Sequence, residues 1–312
     1  MKIGILVSSN DDQTAQEIYK WLLYYGHTPI FINEQILVEN KSLLVSFNED
    51  EIHIKIEQTN GKVINFNEID YFYQRKWTTQ FLTNEYNKQE IYEKTELNAI
   101  KEFILLYLKR KNKLLGFCSS ASKNSLYQLQ IARECGLLIP ETWATNVKKH
   151  LVKEKSIVAK SIQNPFMTDK ENEPYSNYTT LVNTRELETE FTPYLFQKTI
   201  NKVAEYRVFY LLGTFYSMKV MSQDFDNEID SRLLMAEKKV NYTPVFLEKT
   251  LTGKLSNLMK ELNLTMGSID LLEDESGSFY FLEINPFGQF GMTSKPCNYY
   301  LEKKVAEKLI AR

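Results

Sequence analysis

Two short segments carry the most informative pattern in the chain. They are GSID at residues 267–270 and FLEINP at residues 281–286, and the turn-forming DESG at 274–277 lies between them. This order predicts a β-hairpin. Residues i and i+2 of a strand face the same side, so Glu283 and Asn285 point together. If the hairpin turns symmetrically about residues 276–277, Asp270 lies opposite Glu283, and two carboxylates and one amide oxygen converge.

This group of oxygen atoms suits a magnesium ion. Carboxylates and amide carbonyls are the hard ligands that Mg²⁺ prefers, and Mg²⁺ also binds phosphate oxygens. Taken alone, the pattern fits equally well a hairpin whose polar residues simply face solvent. Apolar residues flank the carboxylates at Ile269, Leu271, Leu282 and Ile284. Because an unpaired buried charge is costly, these neighbours favour a functional pair of carboxylates over an idle one.

Two lysines are candidate phosphate ligands. Lys160 interrupts an otherwise apolar strand, IVAKSI at 157–162, so it either faces solvent at the edge of a sheet or binds an anion. Lys123 precedes a predicted helix, and backbone N–H groups at the start of a helix also favour anions. For Lys123 taken alone, an ordinary surface position in a loop is the simpler interpretation.

A strand–turn–strand pattern lies between these lysines and the hairpin. FQK at 196–198 and Ile200 are followed by EYRV at 205–208. Glu205 and Arg207 are two residues apart and therefore share one face of their strand. The alternative is an ordinary cross-strand ion pair, which contributes less than about 1 kcal/mol when it is exposed.

Composition excludes several common kinds of site. The 312 residues include only 11 Gly, and they form neither the dinucleotide fingerprint nor the P-loop. Three His, three Cys and no HExxH or CxxC motif exclude the common zinc sites. The net charge of −2 does not favour a general binder of nucleic acids or anionic membranes.

The sequence also predicts a cytoplasmic protein. Its longest apolar stretches, such as 103–108, are far shorter than the roughly 20 residues that span a membrane. The apolar residues 1–7 run into the polar SSNDDQ and not into a cleavage site, which argues against a signal peptide. Three widely separated cysteines fit a reducing compartment better than a disulfide framework.

Periodicity predicts a mixed α/β chain that opens with a βαβ unit. This unit has a strand at 3–7, a helix capped by Asp11 or Asp12 and ended by Gly26, and a strand at 29–32. Asn60-Gly61 predicts a hairpin within 42–66. Further strands are predicted at 69–77, 114–118, 157–162, 179–182, 194–200, 205–212, 214–221, 266–272 and 279–284. Further helices are predicted at 86–111, from after Lys123 through Gly136, at 245–262 and at 298–311, and a polar loop is predicted at 163–177.

The order of these elements resembles the ATP-grasp superfamily. The shared order is a lysine before a helix that ends in GLLIPET at 136–142, a strand lysine, a hinge Gln-Lys, a Glu-x-Arg strand and then Asp … Glu-x-Asn. More closely, nearly the whole chain resembles the graspetide (microviridin-type) peptide macrocyclases, in particular the GRASP-with-SPASM peptide maturases. This closer match rests on YQRKW at 73–77, SQ at 222–223 with DSR at 230–232, and FLEINPFGQF at 281–290. Glu-x-Asn-Pro alone is widespread among ATP-grasp enzymes.

The resemblance implies an α+β/α/β chain with the ATP-grasp fold. Its parts would be an N-terminal pre-ATP-grasp α/β domain at 1–118, a central ATP-grasp subdomain at 119–193 and a C-terminal ATP-grasp subdomain at 194–312. ATP and Mg²⁺ would bind between the two subdomains. One departure from the superfamily is that residues 161–178, which follow the strand lysine, contain no glycine. The segment therefore differs from the glycine-rich phosphate lid of many ATP-grasp enzymes.

The resemblance also implies roles for the nucleotide-binding residues. Lys123 and Lys160 would bind the phosphates, and Asp270, Glu283 and Asn285 would hold one or two Mg²⁺ ions. Gln197, Lys198 and the backbone near Ile200 would line the adenine hinge, with Glu205 facing the ribose or the hinge lysine.

Three arginines and one aspartate are implied on the peptide side. Arg207 and Arg232 would grip the acceptor carboxylate and the acyl phosphate, because a guanidinium fork suits both groups. Asp230 would orient Arg232 or help to deprotonate the attacking group. Arg75 would either reach the cleft and bind substrate or form a salt bridge at a strand end.

The implied activity is ATP-dependent macrocyclisation of a ribosomally made precursor peptide. An Asp or Glu side chain would become an acyl phosphate, and a Thr, Ser or Lys side chain would attack it and form an ω-ester or ω-amide. The leader segment would bind at about 160–195 and favour a closed state. No nucleic acid or membrane partner is implied. Related enzymes are often homodimers, and the sequence shows no interface signature.

Three alternatives stay open at the level of sequence. The first is an ATP-grasp ligase that joins amino acids or adds them to a peptide or protein. The second is an ATP-grasp small-molecule kinase, and the third is a non-catalytic peptide-binding module. Intact Lys160, Asp270, Glu283 and Asn285 argue against the third.

Overall fold

The computed structural model describes residues 1–49, 51–77, 88–151, 157–162, 179–221 and 240–311, together with the backbone of 167–168 and 174–175. The chain forms two compact units. The first combines Met1–Phe117 with Tyr300–Arg312, and the second is Cys118–Tyr299. The closing helix therefore belongs with the N-terminal unit. The proposed division at residue 193 stays a prediction.

The described residues form both helices and strands. The helices are α1 (Gln13–Tyr24), α2 (Lys88–Arg110), α3 (Ser120–Lys123), α4 (Ser125–Glu134), α5 (Lys249–Glu261), α6 (Gly291–Ser294) and α7 (Leu301–Ile310), with short 3₁₀ helices at Glu34–Leu37, Phe66–Glu68 and Lys148–His150. The strands are β1 (Lys2–Val7), β2 (Thr28–Asn33), β3 (Asn40–Phe47), β4 (Ile52–Gln58), β5 (Val63–Asn65), β6 (Tyr71–Gln74), β7 (Leu114–Leu115), β8 (Thr142–Val147), β9 (Ile157–Lys160), β10 (Met167–Thr168), β11 (Pro174–Tyr175), β12 (Thr180–Val182), β13 (Glu190–Lys198), β14 (Lys202–Leu211), β15 (Thr214–Met221), β16 (Asn241–Val245), β17 (Met266–Asp274) and β18 (Phe279–Asn285).

A parallel four-stranded sheet organises the first unit. Its order is β2-β1-β6-β7, and the predicted βαβ opening is confirmed by the parallel pairing of β1 with β2. Residues 3–7 of β1 are all buried, as expected for a strand covered on both faces. A separate antiparallel sheet, β3-β4-β5, contains the turn at Asn60-Gly61, where Gly61 has a φ of 81°.

A buried ion pair joins the start of α1 to the end of β6. Asp12 caps α1 by accepting a hydrogen bond from the Ala15 N–H at 2.9 Å. The same carboxylate contacts Arg75 Nε at 3.1 Å, and the side chains of Arg75 and Asp12 are only 3% and 9% exposed. Lys76 Nζ lies 3.4 Å from the other carboxylate oxygen. One carboxylate therefore satisfies a helix terminus and a buried guanidinium together.

Two antiparallel sheets position the side chains of the second unit. One has the order β12-β9-β13-β8, and the other has the order β16-β15-β14-β17-β18. One face of the five-stranded sheet is apolar and packs against α4 and α5 in a buried core. This core includes Leu129, Leu255, Leu258, Ile269 and Phe281. The opposite face is thus left to carry the polar residues of β14, β17 and β18.

Two edge strands and one short hairpin were absent from the sequence prediction. β8 and β16 are edge strands in which Thr145 is the one buried residue, so they lack the apolar alternation that marks a strand. The polar loop predicted at 163–177 contains the antiparallel pair β10–β11. Its other positions lie outside the described residues. The strand predicted at 69–77 extends only over Tyr71–Gln74.

Within the described part of the chain, no helix is both long enough and apolar enough to cross a membrane.

We predict that Asp12→Ala destabilises the protein by about 3–5 kcal/mol at pH 7, because it leaves the guanidinium of Arg75 buried without this partner and removes a helix cap. Burial alone would raise the pKa of Asp12, but Arg75, the Ala15 amide and Lys76 outweigh it and hold this pKa below its ordinary value. A depressed pKa contributes stability above the pKa of the unfolded chain and loses it as the pH falls through the folded pKa.

Chemical unfolding of the wild type and of Asp12→Ala between pH 7 and about pH 3 measures this effect. The difference between their free energies of unfolding should narrow only below about pH 4. Glu17→Gln is the matched control, because Glu17 pairs with Lys20 on the exposed face of the same helix. Equal stability of Asp12→Ala and Glu17→Gln would contradict the prediction.

Candidate functional site

A β-bulge sets the register of the hairpin β17–β18. Next to the turn, Glu273 pairs with Phe279 and Leu271 pairs with Phe281. The register then shifts, so that Asp270 pairs with Glu283 and Leu282 is the extra residue. The predicted pairing of Asp270 with Glu283 is confirmed, but its cause is the bulge and not a symmetric turn.

The bulge separates the apolar and polar residues of β18. Phe281 and Ile284 are both buried in the core although they are three residues apart, a spacing that an unbroken strand cannot place on one face. Glu283 and Asn285 lie on either side of Ile284 and are partly exposed. Asn285 pairs with Ser268. This pair is two residues along each strand from the Asp270–Glu283 pair, so it lies on the same face.

Three charged residues form a row across the sheet. Arg207 on β14 pairs with Asp270 on β17, which in turn pairs with Glu283 on β18. Directly paired residues of antiparallel strands project from the same face. Arg207 Nε donates to Asp270 Oδ1 at 3.2 Å, and Arg207 Nη2 lies 3.5 Å from Asp270 Oδ2. The predicted alternative of a cross-strand ion pair is therefore present, and it lies within the candidate site.

Lys160 approaches this row from the other sheet. Its Nζ lies 3.8 Å from Glu283 Oε2, and its side chain is 13% exposed. β9 lies between β12 and β13, so Lys160 is not at a sheet edge, and that alternative is wrong. The remaining alternative is that Lys160 is a ligand for an anion. Its ammonium group lies directly beside the proposed metal-binding carboxylates.

Lys123 is held at the end of α3, immediately before α4. Ser119 and Ser122 form a capping box at the start of α3. The amide of Gln128 on α4 donates to the backbone oxygen of Ser122 at 2.8 Å and to that of Ile284 at 2.9 Å. The segment that ends in Lys123 is thus tied to the strand that carries Glu283 and Asn285.

The predicted hinge residues lie on β13 and just after it. Gln197 is 3% exposed and donates to Thr142 Oγ1 at 3.1 Å. Lys198 is exposed, and its backbone N–H donates to the Glu141 carbonyl at 2.9 Å. Gln197 pairs with Val158 and Lys198 with Ile157, so the two hinge side chains project from opposite faces.

Glu205 has a lysine partner that the sequence did not single out. Its Oε1 lies 2.6 Å from Nζ of Lys202, whose side chain is 9% exposed. The expectation that Glu205 faces the ribose or the hinge Lys198 stays a prediction, and so does the hinge role of the backbone near Ile200.

The remaining peptide-side candidates are distributed differently. Arg75 belongs to the first unit, where it forms the buried pair with Asp12, so the salt-bridge alternative is present there. Its role in binding substrate stays a prediction. Asp230 and Arg232 lie outside the described residues, as do Ser222 and Gln223.

The residues of the hairpin fit a magnesium ion. Asp270 and Glu283 supply carboxylates, and Asn285 supplies an amide oxygen that also accepts from the Phe287 N–H at 3.1 Å. The buried hydroxyl of Ser268 has no hydrogen-bond partner among the described residues, and it lies on the same face. Arg207 and Lys160 add two cations beside the carboxylates, which suits the phosphates of a nucleotide.

Sequence reasoning missed Gln128, Ser268 and Lys202. The sequence could have indicated Ser268, because it stands two residues before Asp270 and therefore shares the face of that carboxylate. Gln128 had no such signal, because its partner Ile284 is 156 positions away.

The chain resembles several solved structures over nearly its whole length. No protein-family model matches it, and no curated protein does. It is similar to the macrocyclase MdnC bound with precursor peptide MdnA from Microcystis aeruginosa MRC, with a TM-score of 0.78, 20% identity and 100% of each chain covered. It is similar to the RiPP-associated ATP-grasp ligase of Chryseobacterium gregarium in complex with ADP and a leader and core peptide, with a TM-score of 0.76, 21% identity and coverage of 99% and 96%.

A third similar structure is the ATP-grasp ligase PsnB complexed with minimal precursor, Mg and ADP. Its TM-score is 0.76 at 17% identity, and 99% of this chain and 96% of that chain are covered. The chain therefore has the ATP-grasp fold, as the resemblance of its sequence predicted.

We predict that the thiol of Cys118, next to α3, resists alkylation in the native protein. Burial raises the pKa of Cys118 to about 11, although a contact with Ser122 and the charge of Lys123 lower it. At pH 8 the thiolate fraction is then on the order of one in a thousand. Timed iodoacetamide labelling with peptide mapping measures this, and partly exposed Cys135 is the internal comparison. Equal labelling rates for the two cysteines would show that the start of α3 opens in solution.

Proposed function

We propose that the protein is an ATP-dependent ligase that forms ω-ester or ω-amide rings in a ribosomally made precursor peptide. The observation that carries this proposal is the row of Arg207, Asp270 and Glu283 with Lys160 beside it, on an ATP-grasp fold. The likeness to peptide-bound ATP-grasp structures over 99–100% of the chain supports the choice of a peptide substrate.

Nucleotide and metal would occupy the polar face of the hairpin. ATP is the phosphoryl donor and Mg²⁺ neutralises its phosphates when bound. Asp270, Glu283 and Asn285 would hold Mg²⁺, while Lys123 and Lys160 would face the phosphates. Gln197, Lys198 and the backbone near Ile200 would line the adenine, with Glu205 toward the ribose. Phosphoryl transfer needs positioning and charge neutralisation more than covalent help, and this set of residues supplies both.

The peptide side chains would undergo two successive reactions. An Asp or Glu carboxylate of the peptide first takes the γ-phosphoryl group, and ADP leaves. A Thr or Ser hydroxyl, or a Lys amine, of the same peptide then attacks the carbonyl carbon, loses a proton and displaces phosphate. Arg207 would grip the acceptor carboxylate with its guanidinium fork. Arg232 and Asp230 are proposed to serve the same step, and Arg75 to bind substrate.

Partner and location complete the proposal. The leader of the precursor peptide would bind at about 160–195 and favour the reactive state. We propose a cytoplasmic enzyme, in keeping with three free cysteines and the access to ATP that the reaction needs.

We predict that the purified enzyme, with MgATP and its precursor peptide, lowers the peptide mass by one water per ring. Intact-mass spectrometry reads this directly, and the leader-free core peptide should react much more slowly than the full precursor. Candidate precursors are short peptides with repeated Thr and Glu or Asp.

Other mass changes would overturn the proposed chemistry. A gain of an amino-acid residue would identify a ligase that adds amino acids, and a gain of one phosphoryl group would identify a kinase. Equal rates with and without the leader would contradict only the leader's role.

We predict that Glu283→Gln lowers turnover on the order of 100-fold, because it removes a charge from the metal site and the partner that Lys160 contacts there. Steady-state ATP hydrolysis coupled to ring formation, with Mg²⁺ varied, measures the loss. Glu275→Gln is the matched control, since Glu275 is exposed at the turn of the same hairpin. Unchanged turnover in Glu283→Gln would refute the metal assignment.

A further inference from the structure

The side chain of Gln128 is almost completely buried, yet it makes three hydrogen bonds. Gln128 lies on α4 and is 2% exposed. Its Nε2 donates to the backbone oxygens of Ser122 at 2.8 Å and of Ile284 at 2.9 Å. Its Oε1 accepts from the backbone N–H of Ile284 at 2.8 Å. A buried amide with all these bonds is satisfied, and its removal leaves the backbone groups unpaired at a cost.

These bonds fix the backbone between two proposed metal ligands. The N–H of Ile284 belongs to the peptide that follows Glu283, and its C=O belongs to the peptide that precedes Asn285. β18 is an edge strand, so within the described part of the chain its outer backbone groups face no further strand, although Leu138 forms a single bridge near Tyr280. The amide of Gln128 takes the place of that strand at the position where the direction of the two ligands is set.

The third bond reaches the candidate phosphate-binding lysine. The Ser122 carbonyl belongs to the peptide that joins Ser122 to Lys123. One side chain therefore holds the backbone adjacent to Lys123 and the backbone on both sides of Ile284. These segments are far apart in the sequence, and Gln128 is the described side chain that bonds to both.

We propose that Gln128 is a positioning residue that holds the Lys123 segment and the Glu283–Asn285 strand in register, so that they bind Mg²⁺ and nucleotide phosphate as one unit. This inference rests on the proposed function, because it needs an Mg²⁺–nucleotide site at the hairpin. Gln128 itself does not touch the nucleotide. Its loss should therefore weaken the binding of Mg²⁺ and phosphate together and leave the rest of the second unit folded.

The test compares Gln128→Met with Gln130→Met. Methionine has a similar length and is apolar, so it fills the space without the three hydrogen bonds. Gln130 lies on the same helix, and its side chain donates to the exposed side chain of Glu134 at 2.9 Å, so the same substitution there is the matched control. Isothermal titration calorimetry of each purified protein with ADP, at several Mg²⁺ concentrations, gives the affinity and its dependence on Mg²⁺.

We expect Gln128→Met to bind MgADP at least tenfold more weakly than wild type and to need more Mg²⁺ for half-maximal binding. Gln130→Met should match the wild type both in its affinity for MgADP and in the Mg²⁺ concentration needed for half-maximal binding. Circular dichroism and the unfolding midpoint establish that the variants are folded. A purely structural role would lower the midpoint without moving the Mg²⁺ dependence, and that result would overturn the inference.

Gln128→Glu keeps the experiment decisive if Gln128→Met does not fold. The carboxylate retains the size of the amide and the bond from the Ile284 N–H, but it cannot donate to either carbonyl when ionised. Gln128→Glu should show the same shift in Mg²⁺ dependence. If it instead binds MgADP as the wild type does, that result would overturn this inference and leave the proposed function standing. Failure of the wild type to bind MgADP would instead overturn the proposed function.

Discussion

The candidate site depends on one extra residue in β18. Without the bulge at Leu282, the pairing next to the turn would continue and set Glu283 opposite Ile269, on the face that packs against α4 and α5. A glutamate and an asparagine would then enter the apolar core, at a large cost in desolvation. Burial of Phe281 and Ile284 on either side of the bulge makes the observed register the favourable one. Hydrophobic packing on one face thus fixes the polar geometry on the other.

Two adjacent carboxylates on this face are balanced by two cations from different strands. Asp270 contacts Arg207, and Glu283 lies near Lys160. Under the proposed function, Mg²⁺ would take over the neutralisation of the carboxylates and leave Arg207 and Lys160 to meet anionic groups of the substrates. Because β14 and β9 belong to different sheets, the charge balance also joins the two sheets of the second unit at the site.

The sequence supported the local features and missed the long-range ones. Strand alternation was enough to place Glu283 and Asn285 on one face, because that reasoning spans only one strand. The pairing of Asp270 with Glu283 was predicted from a symmetric turn, whereas the structure reaches it through the bulge. Strand alternation did not reveal the bulge, because the signal is the spacing of buried Phe281 and Ile284, and burial is known only once α4 and α5 are packed. The edge strands β8 and β16 were missed for a related reason, since strands with few buried residues have little apolar pattern.

The scarcity of glycine has a structural consequence at this site. A glycine-rich loop binds phosphate with backbone N–H groups whose positions are set by the turn itself. With 11 glycines and none in 161–178, this chain would use long side chains, which lose more rotamer freedom when they are ordered. Such side chains need a backbone that is held from outside. At the edge of β18, the Leu138 carbonyl accepts from the Phe281 N–H at 2.8 Å on one side of the bulge, and Gln128 pairs with Ile284 on the other. Under the proposed function, fixing the edge strand by these two contacts would supply the rigidity that a phosphate loop otherwise provides.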